Sequence, residues 1–265
     1  MISELRLGSV VAHGVGGPET GAINLIYALL LNEFGQGFYS RIGINQIGDE
    51  LNEFVMKEPP RSVHVNIRYP VYEDFESKSV DEKNRIRLDI IHASLLRIAE
   101  YDKKFDVQQL ESIRKMILDN NFSFEFTRKV FPHKKINGRI AKINLRPEMN
   151  TFDFYVVFED NGKETCRVCV YRGLTDLIYF PKIFSAGKWK GDNELIITDK
   201  LNEVEIHVFV NDCRVEVRNL TSYKNPPYFE MMRGDISREE KERARSDWMH
   251  SLPPAAAAVI RRADN

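Results

Sequence analysis

The residues best suited by type and spacing to hold a charged small molecule are His13, Gly14, Val15, Gly16 and Gly17, followed by Pro18-Glu19-Thr20-Gly21. Glycines let backbone N–H groups approach an anion, and a helix that follows such a loop adds its positive N-terminus. The details match no complete phosphate motif. A P-loop has Lys and then Ser or Thr after its last glycine, whereas Ala22 and Ile23 follow Gly21. The dinucleotide fingerprint separates its second and third glycines by two residues, and Gly16 and Gly17 are adjacent. His13 beside glycines matches part of an oxyanion-hole loop, but the Gly-x-Ser-x-Gly elbow such an esterase needs is missing from the sequence. His13, Gly14, Gly16 and Gly17 are therefore the candidate ligand-binding residues. The competing reading is a tight turn between a strand and a helix.

Other chemistry-bearing residues are fewer. Cys166-Arg167-Val168-Cys169 has metal or redox spacing, but residues three apart on a strand point to opposite faces. No second cysteine pair completes a four-ligand site, so no metal and no catalytic residue is assigned. The stretch Arg128 to Lys135 is basic with one aromatic, Phe131, and could track a phosphate backbone or form a charged loop between strands. The acidic residues Glu73, Asp74, Glu76, Asp81 and Glu82 fit the bias of a helix start as well as they fit a binding patch. Arg233-Gly234-Asp235 carries no weight.

The elements that position these residues can be read from periodicity. Leu5, Leu7, Val10 and Val11 suit a short strand before the glycine loop. Thr20 to Glu33 reads as a helix apolar on all sides, hence buried, and Gly35-Gln36-Gly37 ends it. Gln46 to Lys57 places Ile47, Leu51, Phe54 and Val55 on one helical face, with Pro59 and Pro60 as the stop. Arg61 to Val71 alternates, with Val63, Val65, Ile67 and Tyr69 on one face of a half-buried strand. Ser79 and Glu82 form a capping box that starts a helix with Leu88, Ile91, Leu95 and Ile98 as its stripe. Asp106 caps a second helix carrying Leu110, Ile113 and Ile117, and the short join makes the two antiparallel neighbours.

From Asn121 the period becomes two. Phe122, Phe124 and Phe126 open the pattern, and Phe152, Phe154, Val156 and Phe158 share a face. Asn161-Gly162 then predicts a type I′ hairpin, with Cys166, Val168 and Val170 returning. A second hairpin places Val204, Ile206, Val208 and Val210 inward and turns at Asn211-Asp212. It returns through Cys213, Val215 and Val217, with Glu205, His207, Arg214, Glu216 and Arg218 toward water. Phe124, Phe154, Val156, Val168, Ile206 and Val208 are expected near the core. After the break at Asn225-Pro226-Pro227, Ser237 can cap a highly charged helix, and Pro253 onward has little to pack with.

Composition bounds the function. The 265 residues are 43% hydrophobic and 29% charged, with a formal net charge of -1. This is the balance of a globular chain and speaks against a dedicated nucleic-acid binder. Three cysteines fit a reducing compartment better than a disulfide framework. The longest apolar stretch, Gly21 to Leu31, is too short for a membrane helix, and no secretory pattern opens the chain. A cytoplasmic protein without a membrane partner is expected.

The stretch from Asp81 to His92, continuing through Leu95, Leu96, Ile98 and Ala99 and then Leu110 to Phe126, resembles uncharacterised bacterial proteins of the toxin-immunity type. The resemblance rests on the helix-pair pattern and brings no functional residues with it. It implies a protein that binds one partner toxin and blocks it. The expected fold is α+β: a helix-rich N-terminal segment over 1–60, an antiparallel sheet of hairpins with a packed helix pair over 61–222, and a C-terminal helix and loose tail over 223–265. Residues 1–60 are open to joining the main domain. The expected function is non-catalytic binding of a protein partner, without cofactor. The alternative is a small-molecule enzyme or ligand binder using the loop at 13–21.

Overall fold

A computed structural model describes residues 1–2, 4–10, 14–16, 20–148, 151–174, 184, 186–199, 202, 204–220 and, near the C-terminus, 237, 239–240, 242–243 and 246. The fold is α+β. The chain divides into two compact units: residues 1–125, 146–152 and 175–178 in the first, and 126–145, 153–174 and 179–265 in the second.

Unit 1 is a sheet covered on one face by helices. Its strands are β1 (Glu4–Ser9), β2 (Arg41–Ile47), β3 (Phe54–Glu58) and β4 (Ser62–Arg68), in the order β1-β2-β4-β3. The β1–β2 and β2–β4 pairs are parallel, and β3 runs antiparallel to β4. Register makes each row of the sheet face one way. Leu5 aligns with Ile42 and Val63, and Leu7 with Ile44 and Val65. All six are buried beneath helices α1 (Gly21–Glu33) and α2 (Val80–Asp102), and α3 (Val107–Asp119) packs on those two helices.

Every residue of α1 from Ala22 to Leu31 is buried, as an all-round apolar helix must be. Both predicted caps form. The Ser79 side chain accepts from the Glu82 N–H while Glu82 reaches back to the Ser79 N–H, and Asp106 accepts from the Gln108 and Gln109 N–H groups. Such caps satisfy backbone donors that a helix start leaves free, each contributing about 1 kcal/mol.

One segment differs from its sequence reading. Gln46 to Lys57 is not a helix; it holds the end of β2, a loop, and β3. The helical spacing of Ile47, Leu51, Phe54 and Val55 is coincidental. Gly48-Asp49 breaks the segment, and in β3 Val55 is half-buried while Phe54 and Met56 lie exposed.

Unit 2 holds two antiparallel sheets. One has the order β5-β6-β7-β8, from β5 (Phe126–Pro132), β6 (Arg139–Pro147), β7 (Thr151–Asp160) and β8 (Lys163–Leu174). The other has the order β12-β11-β10-β9, from β9 (Ala186–Lys190), β10 (Glu194–Thr198), β11 (Val204–Phe209) and β12 (Arg214–Asn219). The rings of Phe158 on β7 and Trp189 on β9 lie 5.5 Å apart, so the sheets face each other. Phe154, Val156, Leu195, Ile197, Ile206 and Val208 are buried in this unit. Asn161 and Gly162 both take positive φ, as the β7–β8 hairpin demands.

Phe124 and Val168 are only half-buried. Asn121 and Phe122 are held at positive φ in the turn after α3, so β5 starts at Phe126 and the strand expected from Phe122 is shorter. Ser237 caps as expected: its N–H donates to Glu240 and its hydroxyl accepts from the Glu240 N–H. The Asn225-Pro226-Pro227 break and the tail from Pro253 lie outside the described residues.

Candidate functional site

In unit 1 the glycine loop follows the C-terminal end of β1, the side of a parallel sheet where ligands commonly bind. His13 and Gly17 lie outside the described residues. Gly14 is half-buried and Gly16 is packed against the strand end. A Cβ on Gly16 would lie 2.6 Å from the backbone of both Gly8 and Ser9, which explains why only glycine fits. Between them, Val15 is fully buried. Its N–H donates to Gln46 Oε1 at 3.0 Å, and its carbonyl accepts from Arg87 Nε at 3.4 Å. Gln46, itself buried, donates onward to the carbonyls of Tyr69 and Pro70. The Val15 backbone groups are thus already paired within the protein.

A hydrogen-bonded chain inside unit 1 looks like an acid–base relay. Tyr27 Oη lies 2.8 Å from His92 Nδ1, and His92 Nε2 lies 3.1 Å from Glu111 Oε1. Burial, reinforced by the charge of Glu111, pushes the Tyr27 phenol far above its ordinary range, so it stays neutral. Tyr27 has no exposed surface and cannot meet a substrate. The three residues come one each from α1, α2 and α3, and Arg114 on α3 adds a 2.6 Å ion pair to Asp89 on α2. The relay pins the helical layer together.

The face of the unit 1 sheet away from the helices carries polar and exposed residues. Register places three rows across it: Glu4, Arg41, Ser62 and Glu58; Arg6, Gly43, His64 and Met56; Gly8, Asn45, Asn66 and Phe54. None of these twelve residues is buried. Asn45 donates to Asn66 at 3.1 Å, and His64 Nε2 lies 3.3 Å from Glu58, so the polar groups are ordered. At the β3 edge, Phe54 and Met56 expose 43% and 44% of their surface, with Leu51 beside them at 42%.

Unit 2 contains a cavity of about 500 Å³ between the β5–β6 and β9–β10 turns. Phe131 and Trp189 wall it, and Trp189 Nε1 donates to the Phe131 carbonyl at 3.0 Å. His133 is buried beside it. Its Nδ1 accepts from the Lys135 and Ile136 N–H groups, which leaves Nε2–H to donate to the Gly191 carbonyl at 3.1 Å. Lys134, Lys135 and Lys188 line the rim. The Arg128–Lys135 stretch stands out in the sequence, but nothing in the sequence brings Gly187–Asp192 opposite it.

Two features of unit 2, a disulfide and a buried histidine, correct the sequence reading. Cys166 and Cys213 are joined as a disulfide with Cα atoms 5.8 Å apart, linking β8 to the β11–β12 turn. Hairpin register places the turn residue Cys213 there, which cysteine spacing alone does not reveal. Cys169 is outside this disulfide and exposed, on the strand face opposite Cys166. His207, expected toward water, is buried between the carboxylates of Glu194 at 2.6 Å and Glu205 at 3.2 Å. The His207 bond, opposed by burial and joined by Lys190, holds the Glu194 carboxyl below its usual range.

Among the described residues no group of three or more His, Cys, Asp or Glu side chains is placed to hold a metal ion. Among them, too, no helix is long and apolar enough to cross a membrane. No family model matches the chain, and neither a curated protein nor a solved structure matches it.

Proposed function

We propose that this chain is a non-catalytic binding protein that holds a protein partner on the open face of the unit 1 sheet. The observation that carries the reading is the pair of exposed side chains Phe54 and Met56 at the edge of an ordered, uncovered sheet face. Aromatic and methionine side chains are enriched at the buried centres of protein interfaces. Four strands ~4.8 Å apart and about seven residues long span roughly 400 Å² in projection. A specific interface covers about 800 Å² per partner. The partner must therefore also cover the loop around Leu51. Blockade of a toxin is the form of binding that the helix-pair resemblance implies.

The test is affinity capture with the tagged chain and with the Phe54→Ser/Met56→Ser variant, washed at high salt. Both side chains are more than two-fifths exposed, so the substitutions leave the fold intact, which a thermal melt verifies. One stoichiometric partner held by the wild type and lost by the variant supports the reading. A partner retained equally by both, or no partner, counts against it.

A further inference from the structure

We propose that the cavity of unit 2 between the β5–β6 and β9–β10 turns is a binding site for a nucleoside phosphate, independent of the protein-binding face. The argument begins with charge. The lining carries three lysines, Lys134, Lys135 and Lys188, against one carboxylate, Asp192, in a chain whose net charge is -1. Among the described residues none of the three lysines is ion-paired. Asp192 lies 3.8 Å from His133 Nε2. The rim is a local excess of positive charge that Asp192 offsets only in part, which suits a phosphate.

The walls supply the second half. The Phe131 ring lies directly over Gly187, where a Cβ would come within 2.7 Å of it. Glycine at 187 thus lets the ring settle against the β9 backbone. Trp189 is fixed by its bond to the Phe131 carbonyl and by edge contact with His133 at 4.8 Å. These half-buried rings offer aromatic surface against which a base can pack. A volume of about 500 Å³ is that of a small-molecule site. An acidic side chain would leave most of it unfilled. A nucleic-acid strand would need a basic track, and the charge of the whole chain provides no general attraction for one.

The full chain contains two tryptophans, so Trp248→Phe leaves Trp189 as the only one. In that background, AMP, GMP, CMP and UMP are titrated against Trp189 fluorescence, with calorimetry alongside. Adenosine, inorganic phosphate and an oligothymidylate serve as comparisons. At least one mononucleotide is expected to bind and to alter the Trp189 signal, more tightly than adenosine or phosphate alone. Lys134→Gln/Lys188→Gln, on exposed side chains, should weaken it about tenfold or more, since charge-assisted hydrogen bonds to phosphate are lost. Three results would overturn the proposal: no mononucleotide binding at millimolar concentration, binding indifferent to the lysine substitutions, or oligothymidylate binding without mononucleotide binding.

Discussion

Asp102 closes the C-terminal end of α2 with a carboxylate that is almost wholly buried, its side chain 1% exposed. It accepts from the Tyr39 hydroxyl and from the Lys104 N–H at 3.2 Å, and it faces Lys57 Nζ at 3.2 Å. Asp102→Ala leaves the buried Tyr39 hydroxyl without its acceptor, at about 1–3 kcal/mol for an orphaned polar group. The loss of the partly exposed Lys57 pair adds roughly 0.5–1 kcal/mol. Asp102→Asn keeps an oxygen for Tyr39 and should cost about 1 kcal/mol. Urea unfolding followed by circular dichroism measures both, and the melting temperature should fall by roughly 2–4 °C per kcal/mol for a chain of this size. Burial raises the Asp102 carboxyl, but the bonds from Tyr39, Lys104 and Lys57 outweigh it, so its folded pKa lies below its ordinary value. The sign follows: this stabilisation is complete above the unfolded pKa near 4 and disappears as pH falls through the lower folded value. The stability gap between wild type and Asp102→Asn should therefore close on acidification. An Asp102→Ala variant within about 0.5 kcal/mol of wild type, or a gap that widens in acid, would refute the reasoning.

Two further outcomes follow from the packing. Gly16→Ala should lower stability by about 1–3 kcal/mol in a denaturant titration, because the new methyl meets the Gly8 and Ser9 backbone and the loop must shift. Cys213→Ser should destabilise unit 2 by up to about 4 kcal/mol, the chain-entropy value for a disulfide closing a 47-residue separation. Reductant should lower the melting temperature of the wild type and leave that of the variant unchanged.

Much of the fold was legible because local chemistry and tertiary packing agreed. Ser79, Asp106 and Ser237 announced their helices through capping, and Asn161-Gly162 announced its hairpin through backbone freedom. Gln46 to Lys57 misled because its apolar spacing fitted a helical face by chance, while its strand β3 is decided by antiparallel pairing with β4, Phe54 beside Asn66 and Glu58 beside Ser62, whose residues lie outside the segment. His207 had the look of a water-facing position because alternation reports the face and not the neighbours. Its two carboxylate partners come from β10 and from its own strand. The glycine cluster stands out in the sequence, while the reason for Gly16 lies in its contact with the backbone of Gly8 and Ser9 at the end of β1. The unit 2 cavity was half legible: the Arg128–Lys135 stretch stands out, while Trp189 and Lys188 reach it from 58 and 53 residues beyond Phe131 and Lys135.

The central claim is that a protein partner covers the open sheet face of unit 1, and hydrogen–deuterium exchange of the captured complex tests it most directly. The account predicts new protection on β3 over 54–58, on β4 over 62–68 and at the loop around Leu51, with little change in α2 and α3. Protection confined to the helical layer, or to unit 2, would contradict it.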